Sequence, residues 1–168
     1  MKNEYLDIIN VDANPEFKPD LVCNITVEPL ELEDKSINTI WMFHMIEHIT
    51  KTNRPTVLLE CNRVLKECGR IVITYPEFSK CAANFLENKG GNREFWEATM
   101  YGRQSHGFDF HVVPMHTPLF KHELIDYGFT DIVDLPEKEE NYNTIITGVK
   151  KEDVVTREAI IAKEVCGV

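Results

Sequence analysis

The sequence is short of the features by which several classes of protein announce themselves. Its five cysteines, Cys23, Cys61, Cys68, Cys81 and Cys166, are odd in number and form no C-x-x-C pair, so neither a disulfide framework nor a zinc ribbon is indicated. Reduced thiols are expected, and Cys61 and Cys68, which share the apolar stripe of one expected helix, are read as small buried hydrophobes. No apolar run approaches the ~18 residues that cross a bilayer, and Met1 to Asp7 lacks the basic-then-apolar order of a signal peptide. A cytoplasmic protein with no membrane contact is expected. Positive charge is also scarce: 18 Lys and Arg stand against 28 Asp and Glu, a formal net charge of -10. Such a surface repels phosphate backbones, and no nucleic-acid partner is expected. Glycine is sparse where phosphate-binding loops need it. The first is Gly69, and Gly90-Gly91-Asn92 has neither a preceding strand nor a following Lys-Ser/Thr.

What remains is a chain of 168 residues, 43% hydrophobic and 27% charged, suited to one packed domain. Apolar runs of strand length lie at Tyr5 to Val11, Leu21 to Ile25, Ile37 to Phe43, Arg70 to Tyr75, Ile132 to Leu135 and Thr144 to Val149. Between the third and fourth, Pro55 to Glu67 places Val57, Leu58, Cys61, Val64 and Leu65 at helical spacing, with Gly69 as the stop. A strand, a one-sided helix and a near-continuous apolar strand make a βαβ unit, and a sheet covered on both faces is expected. Thr117-Pro118 reads as N-cap and first-turn proline of a later helix that Gly128 ends. The polar connection Pro136 to Asn141 is short enough to turn an antiparallel edge hairpin. The expected α/β domain covers 1-150. Residues 151-168 form a separate terminal segment in which Val155, Ile160, Ile161 and Val165 describe an amphipathic helix, a candidate contact for a homo-oligomer.

Three segments carry chemistry. Ile9-Asn10-Val11-Asp12 ends a strand in a carboxylate, which can accept the hydroxyls of a ribose, although Asp also favours turns. Asp20-Leu21-Val22-Cys23-Asn24-Ile25 comes next, then Ile37 to Ile49 with His44-Met45-Ile46-Glu47-His48, then Glu60-Cys61-Asn62-Arg63-Val64-Leu65-Lys66-Glu67-Cys68-Gly69. In order and spacing, from about Ile9 to Pro76, this resembles the class I S-adenosylmethionine-dependent methyltransferases, especially small bacterial and phage members with H-x-x-E-H after one strand and E-x-x-R-V-L-K-x-x-G before the next. A weaker likeness runs on to Val149.

The resemblance implies a Rossmann-like fold: a mostly parallel sheet of about six strands with an antiparallel edge hairpin. The first strand and the glycine-rich turn of the family are missing, because too few residues precede Ile9 to hold them. It implies S-adenosylmethionine as cofactor, with Asp12 on the ribose, Asn24 and Ile25 beside the adenine, and His44 and Met45 at the methionine end. It further implies methyl transfer to a small molecule or carbohydrate. Two other readings stay open: a methyltransferase-like binding or assembly module without turnover, and a zinc hydrolase, since His44-Glu47-His48 matches the inverted zinc-protease motif.

The stretch Glu77 to His116 is rich in aromatics and histidines and lies just past the end of a strand, so it is expected to roof the crevice. In the functional reading His106 or His111 serves as a base, while His48, Tyr75, Trp96 and Tyr101 line the acceptor pocket. In the plainer reading the aromatics make a satellite core and the histidines cap loops. His106, His111 and His116 lack metal-ligand spacing, and no metal is expected.

Overall fold

A computed structural model describes residues 7–135 and 142–151. In chain order it holds β1 (Val11–Asp12), a 3-10 turn at Pro15–Phe17, β2 (Leu21–Val22), β3 (Ile37–Phe43), a 3-10 turn at Ile46–His48, α1 (Arg54–Val64) and β4 (Leu65–Pro76). Then come α2 (Phe78–Leu86), α3 (Arg93–Tyr101), α4 (Thr117–Asp126), β5 (Phe129–Leu135) and β6 (Asn143–Lys150). The expected turn at Pro136 to Asn141 and the expected helix at Glu152 to Val165 lie outside the described residues. The strands that this turn would join pair antiparallel, as expected of an edge hairpin.

The α/β character holds, but the sheet is not one mostly parallel array of six strands. β1 and β2 form a parallel pair of their own, and the larger sheet has the order β3-β4-β6-β5. Within it β3 and β4 are parallel, whereas β6 runs antiparallel to both of its neighbours. Among the described residues β1 pairs only with β2 and β3 only with β4, so no ladder joins the two sheets. The expectation of two covered faces holds at the central strand β4, whose Val72 and Thr74 are buried on the face opposite Ile71 and Ile73, but not at the edge strand β3. On one face Met42, Ile71, Ile73, Tyr75 and Ile146 pack with Val57, Leu58 and Cys61 of α1 and Phe120 and Leu124 of α4. On the other, Trp41 and Phe43 remain 60% and 63% exposed, their rings stacked 5.7 Å apart. The only helix between β1 and β2 is a three-residue turn, too short to cover a sheet.

α1 starts as expected, with Pro55 in its first turn, but stops at Val64 instead of reaching Glu67. Leu65, fully buried, is already paired with Ile37, and the ladder resumes at Thr39 and Arg70. The four residues between loop out as a bulge, which takes Cys68 to a φ of 58° and to the surface, not into the core; Cys61 alone of the pair is buried. Gly69 is therefore a packing glycine, since a Cβ there would fall 2.7 Å from the Lys66 carbonyl oxygen. The buried Lys150 Nζ donates to the Asn62 and Leu65 carbonyls at 2.6 and 2.8 Å and satisfies the end of α1. At the start of α4 the cap is also not the expected one. Thr117 is the first helical residue, and its N–H donates to Glu77 Oε2 at 2.8 Å.

Arg63 ties the segment before β3 onto α1. Its guanidinium donates to the Leu30 and Leu32 carbonyls at 3.1 and 2.9 Å and to both oxygens of Glu60, while Glu60 Oε1 accepts the Leu30 N–H at 2.7 Å. Burial pushes the Glu60 carboxyl up, but the Arg63 hydrogen bonds, the Leu30 N–H and the Arg63 charge outweigh it and hold it below the usual 4.5. The stability contributed by a lowered carboxyl pKa is present above the unfolded value and is lost as pH falls through the folded one. Arg63→Ala should cost about 2–3 kcal/mol in urea unfolding at pH 7, because it strips charged hydrogen bonds from partly buried acceptors. Glu60→Gln should flatten the fall in stability below pH 4.5. An acid limb that is identical in wild type and variant would exclude Glu60 as its source.

Candidate active site beyond the strand ends

Each short strand delivers one polar group to its end. Asp12 closes β1, half-buried, with Oδ1 accepting the Asn14 N–H at 2.7 Å in a local turn. Past β2, Asn24 Oδ1 accepts the Thr26 N–H and hydroxyl at 3.2 and 2.7 Å, and Ile25 drops into the hydrophobic core. Past β3, the His44 N–H reaches the Thr74 carbonyl at 3.0 Å, with φ of 50° turning the chain away from the sheet. Met45 packs against the core beside it.

The segment 102–112 connects these ends. The His106 ring meets Phe17, just past β1, edge-on at 6.3 Å, while the Phe110 carbonyl sits 2.9 Å from His48 Nδ1, just past β3. The Val112 N–H donates to the Glu47 carbonyl at 3.0 Å and the His111 N–H to that of Tyr101 at 3.0 Å. The roof expected over the crevice is thus tied down on both sides. Its turn is tight: Gln104 N–H donates to the Asp109 carbonyl and Ser105 hydroxyl to the Asp109 carboxylate.

His44, Glu47 and His48 do not form the inverted zinc-protease arrangement. That motif needs two histidines one α-helical turn apart, whereas only Ile46–His48 is helical here, as a single 3-10 turn, and His44 is in the left-handed region. His44 Nδ1 lies 3.2 Å from Glu47 Oε1 instead. Glu47 itself is 1% exposed. His111 arrives from the roof to take the place beside His48, their rings 4.7 Å apart and nearly perpendicular. One ligand atom from each of Glu47, His48 and His111 lies within 4.8 Å of the other two. Burial pushes the His111 pKa below its usual value, with the neighbouring His48 and His44 acting in the same direction and Glu47 and a Thr99 backbone hydrogen bond acting against it. A pocket runs from Glu47 and His111 to Cys81, Thr99, Met100 and Met115. Burial drives the Cys81 thiol up to about 12, which keeps it protonated.

Two residues expected to line the acceptor pocket serve packing instead. Tyr75 is fully buried, edge-on to Phe120, with its hydroxyl donating to Thr117 Oγ1 at 3.1 Å. Trp96 is 2% exposed, packed between Phe95 and Tyr142, with Nε1 donating to the Lys89 carbonyl at 2.9 Å. They belong to cores because their polar atoms already have partners. Tyr101, by contrast, is 52% exposed, as are Phe108 and Phe110 at 55% and 42%. Sequence reasoning missed Gly102 and Glu77. The glycine's φ of 79° carried a signal in its type alone, whereas the Glu77–Thr117 contact spans a distance in sequence that no local pattern marks.

The family described as a methyltransferase domain matches residues 2–73, up to the middle of β4. No curated protein matches the chain. Among solved structures it is similar to an S-adenosylmethionine-dependent methyltransferase from Archaeoglobus fulgidus, at 17% identity and a TM-score of 0.56, over 83% of this chain and 74% of that one. It is also similar to the apo form of the S-adenosylmethionine-dependent methyltransferase SibL, at 10% identity and a TM-score of 0.54, over 77% and 35%. The CurJ carbon methyltransferase gives 18% and 0.51, over 77% and 34%. The chain spans about three quarters of the first and about a third of the other two. The fold is that of the S-adenosylmethionine-dependent methyltransferases, and the matched segment is similar to their methyltransferase domain.

The roof depends on Gly102, where a Cβ would lie 1.9 Å from the Asp109 carbonyl oxygen. Gly102→Ala should therefore open segment 102–112 without unfolding the sheet. Amide exchange at His111 and Val112 should accelerate, and limited proteolysis should cut between 103 and 109, while the β4 amides keep their protection. Unchanged exchange at those two amides would show that the turn tolerates the side chain.

Proposed function

We propose that the chain binds S-adenosylmethionine in the crevice between the ends of β1 and β3 and transfers its methyl group to a small molecule or carbohydrate. The observation that supports this reading is the roof itself, which touches Phe17 just past β1 on one side and His48 just past β3 on the other.

The residues fit the adenosine half of the cofactor. Among the described residues Asp12 has only Oδ1 engaged, which leaves Oδ2 for a ribose hydroxyl, and the Asn24 turn lies at the end of the neighbouring strand. For the methionine half, His44 and Met45, just past β3, are the side chains that would meet that end. The cofactor, when bound, supplies an electrophilic methyl group on a sulfonium. The work left to the protein is alignment and exclusion of water, and both fall to the roof. Tyr101, Phe108 and Phe110 offer it exposed ring faces against which a flat or sugar ring can pack. The His106 Nδ1 accepts the Phe108 N–H at 3.3 Å, which leaves Nε2–H as a donor to orient an acceptor oxygen. His111 is not available for that part, since it stands beside Glu47 and His48. No described helix is long and apolar enough to cross a bilayer.

Calorimetric titration with S-adenosylmethionine and with its demethylated product should show binding of both, and Asp12→Ala should weaken each by about 1–3 kcal/mol through loss of a charge-assisted hydrogen bond. Absence of heat at millimolar ligand would defeat the reading. Binding without turnover over a panel of hydroxylated and amino acceptors would instead select the non-catalytic module, which the separate β1–β2 pair favours.

A further inference from the structure

We propose that Glu47, His48 and His111 form a binding site for a divalent transition-metal ion of the zinc type, with two imidazole nitrogens and one carboxylate oxygen as ligands.

The first observation is the group itself, whose three ligand atoms lie within 4.8 Å of one another. Acidic and histidine clusters are common without an ion, so the second observation decides. Glu47 is 1% exposed, and its Oε2 is buried without any hydrogen-bond partner. A buried carboxylate oxygen with no donor is a cost that native folds seldom carry, and a cation is the simplest group that removes it.

The surroundings orient the three ligands as metal sites require. Glu47 Oε1 lies 3.2 Å from His44 Nδ1, which leaves Oε2 as the ligand atom. His48 Nδ1 is 2.9 Å from the Phe110 carbonyl, an acceptor, so it carries the proton and Nε2 presents its lone pair. His111 is held by its backbone N–H, which donates to the Tyr101 carbonyl at 3.0 Å. The backbone bond from the Val112 N–H to the Glu47 carbonyl, at 3.0 Å, sets the register between the roof and the 3-10 turn. Carboxylates, carbonyls and water suit magnesium and calcium, whereas two imidazoles with one carboxylate suit zinc and its neighbours. Ligands about 2.0–2.2 Å from a tetrahedral ion sit closer together than this group does, so the loop bearing His111 would move in slightly. Three protein ligands leave a coordination position open to water, on the side of the pocket that Glu47 and His111 line with Thr99 and Met100. His44, the first histidine of the H-x-x-E-H motif, is a supporting residue here, and a histidine far down the chain replaces it. Spacing alone does not show this, so the sequence by itself points to no metal.

The test uses the full chain, stripped with a chelator and titrated with Zn2+ alone and with Co2+ alone. One equivalent should bind, and Co2+ should give the intense visible absorption of a four-coordinate N/O site. His48→Ala and His111→Ala should each weaken binding by at least ~100-fold, since each removes a ligand outright. His122→Ala, on the exposed side of α4, should leave it unchanged. Should a ligand variant fail to fold by circular dichroism, ring resonances in the wild type decide: Zn2+ should shift those of His48 and His111 and spare those of His106 and His122. No stoichiometric binding, equal binding by both histidine variants, or resonance shifts confined to other histidines would overturn the proposal. Because no S-adenosylmethionine is present, failure here leaves the methyltransferase reading standing, and failure of that reading leaves this one standing.

Discussion

The structure depends on the burial of β4. Leu65, Ile71, Ile73 and Tyr75 are fully buried, and the strand is held by a parallel ladder to β3 on one side and an antiparallel ladder to β6 on the other. A strand paired on both edges has no freedom to slip, because a shift of one residue would turn these side chains to the opposite face. The groups at its carboxyl end are therefore fixed in place. The Thr74 carbonyl takes the His44 N–H and sets where β3 ends, and Glu77, just past the strand, anchors the start of α4.

Buried polar groups divide the molecule into finished and unfinished parts. Glu77 gives one oxygen to Thr117 and the other to Ser79, and Lys150 spends its ammonium on two carbonyls at the end of α1. Arg54, also buried, lies 3.1 Å from Glu123 and over the Phe120 ring. Burial pushes Glu123 up, against the pull of Arg54 and Lys51, which marks that pair as one that offsets its desolvation only in part. All three serve packing between elements, although Arg54 Nε makes its ion pair without a hydrogen bond of good geometry. Glu47 differs because it sits between the roof and the strand end with one oxygen unanswered, and a fold that satisfies its structural carboxylates elsewhere is not expected to waste one there.

The alternation of strands and helices is legible because period and length separate them: Ile37 to Phe43 has the bounds its apolar run marks, and α1 and α4 begin within a residue of their prolines. The ends are less legible. A helix reading carried through Leu65 to Glu67 is reasonable on spacing, but Leu65 gains more by pairing with Ile37 than by another helical turn, and a bulge absorbs the excess. Sheet layout is obscure for a related reason, since periodicity says which residues want burial and not which ladders join. Of the site, Asp12, His44 and His48 are visible because each lies just past an apolar run. Tyr75 and Trp96 are misplaced by sequence because an aromatic with a polar tip looks the same in a pocket and in a core, and only the partner of that tip distinguishes them.

The β1–β2 pair bears the residues that would hold adenosine, yet no ladder secures it to the main sheet among the described residues. Its attachments are side chains. Ile25 enters the core just past β2, and the next segment is gripped by Arg63 and Glu60 on α1, itself fixed by Lys150 at its end. On the far side Phe17 touches the roof at His106. A cofactor spanning the ends of β1 and β3 would bridge two sheets that, among the described residues, share no ladder. Its affinity would then include the free energy of holding them together, as binding energy does whenever it must order the groups that supply it. The edge of β3, with Trp41 and Phe43 open beside it, is where a continuous sheet would have provided that rigidity through backbone hydrogen bonds. In this chain the charged network on α1 grips the segment that follows β2 and so stands in for part of that missing ladder.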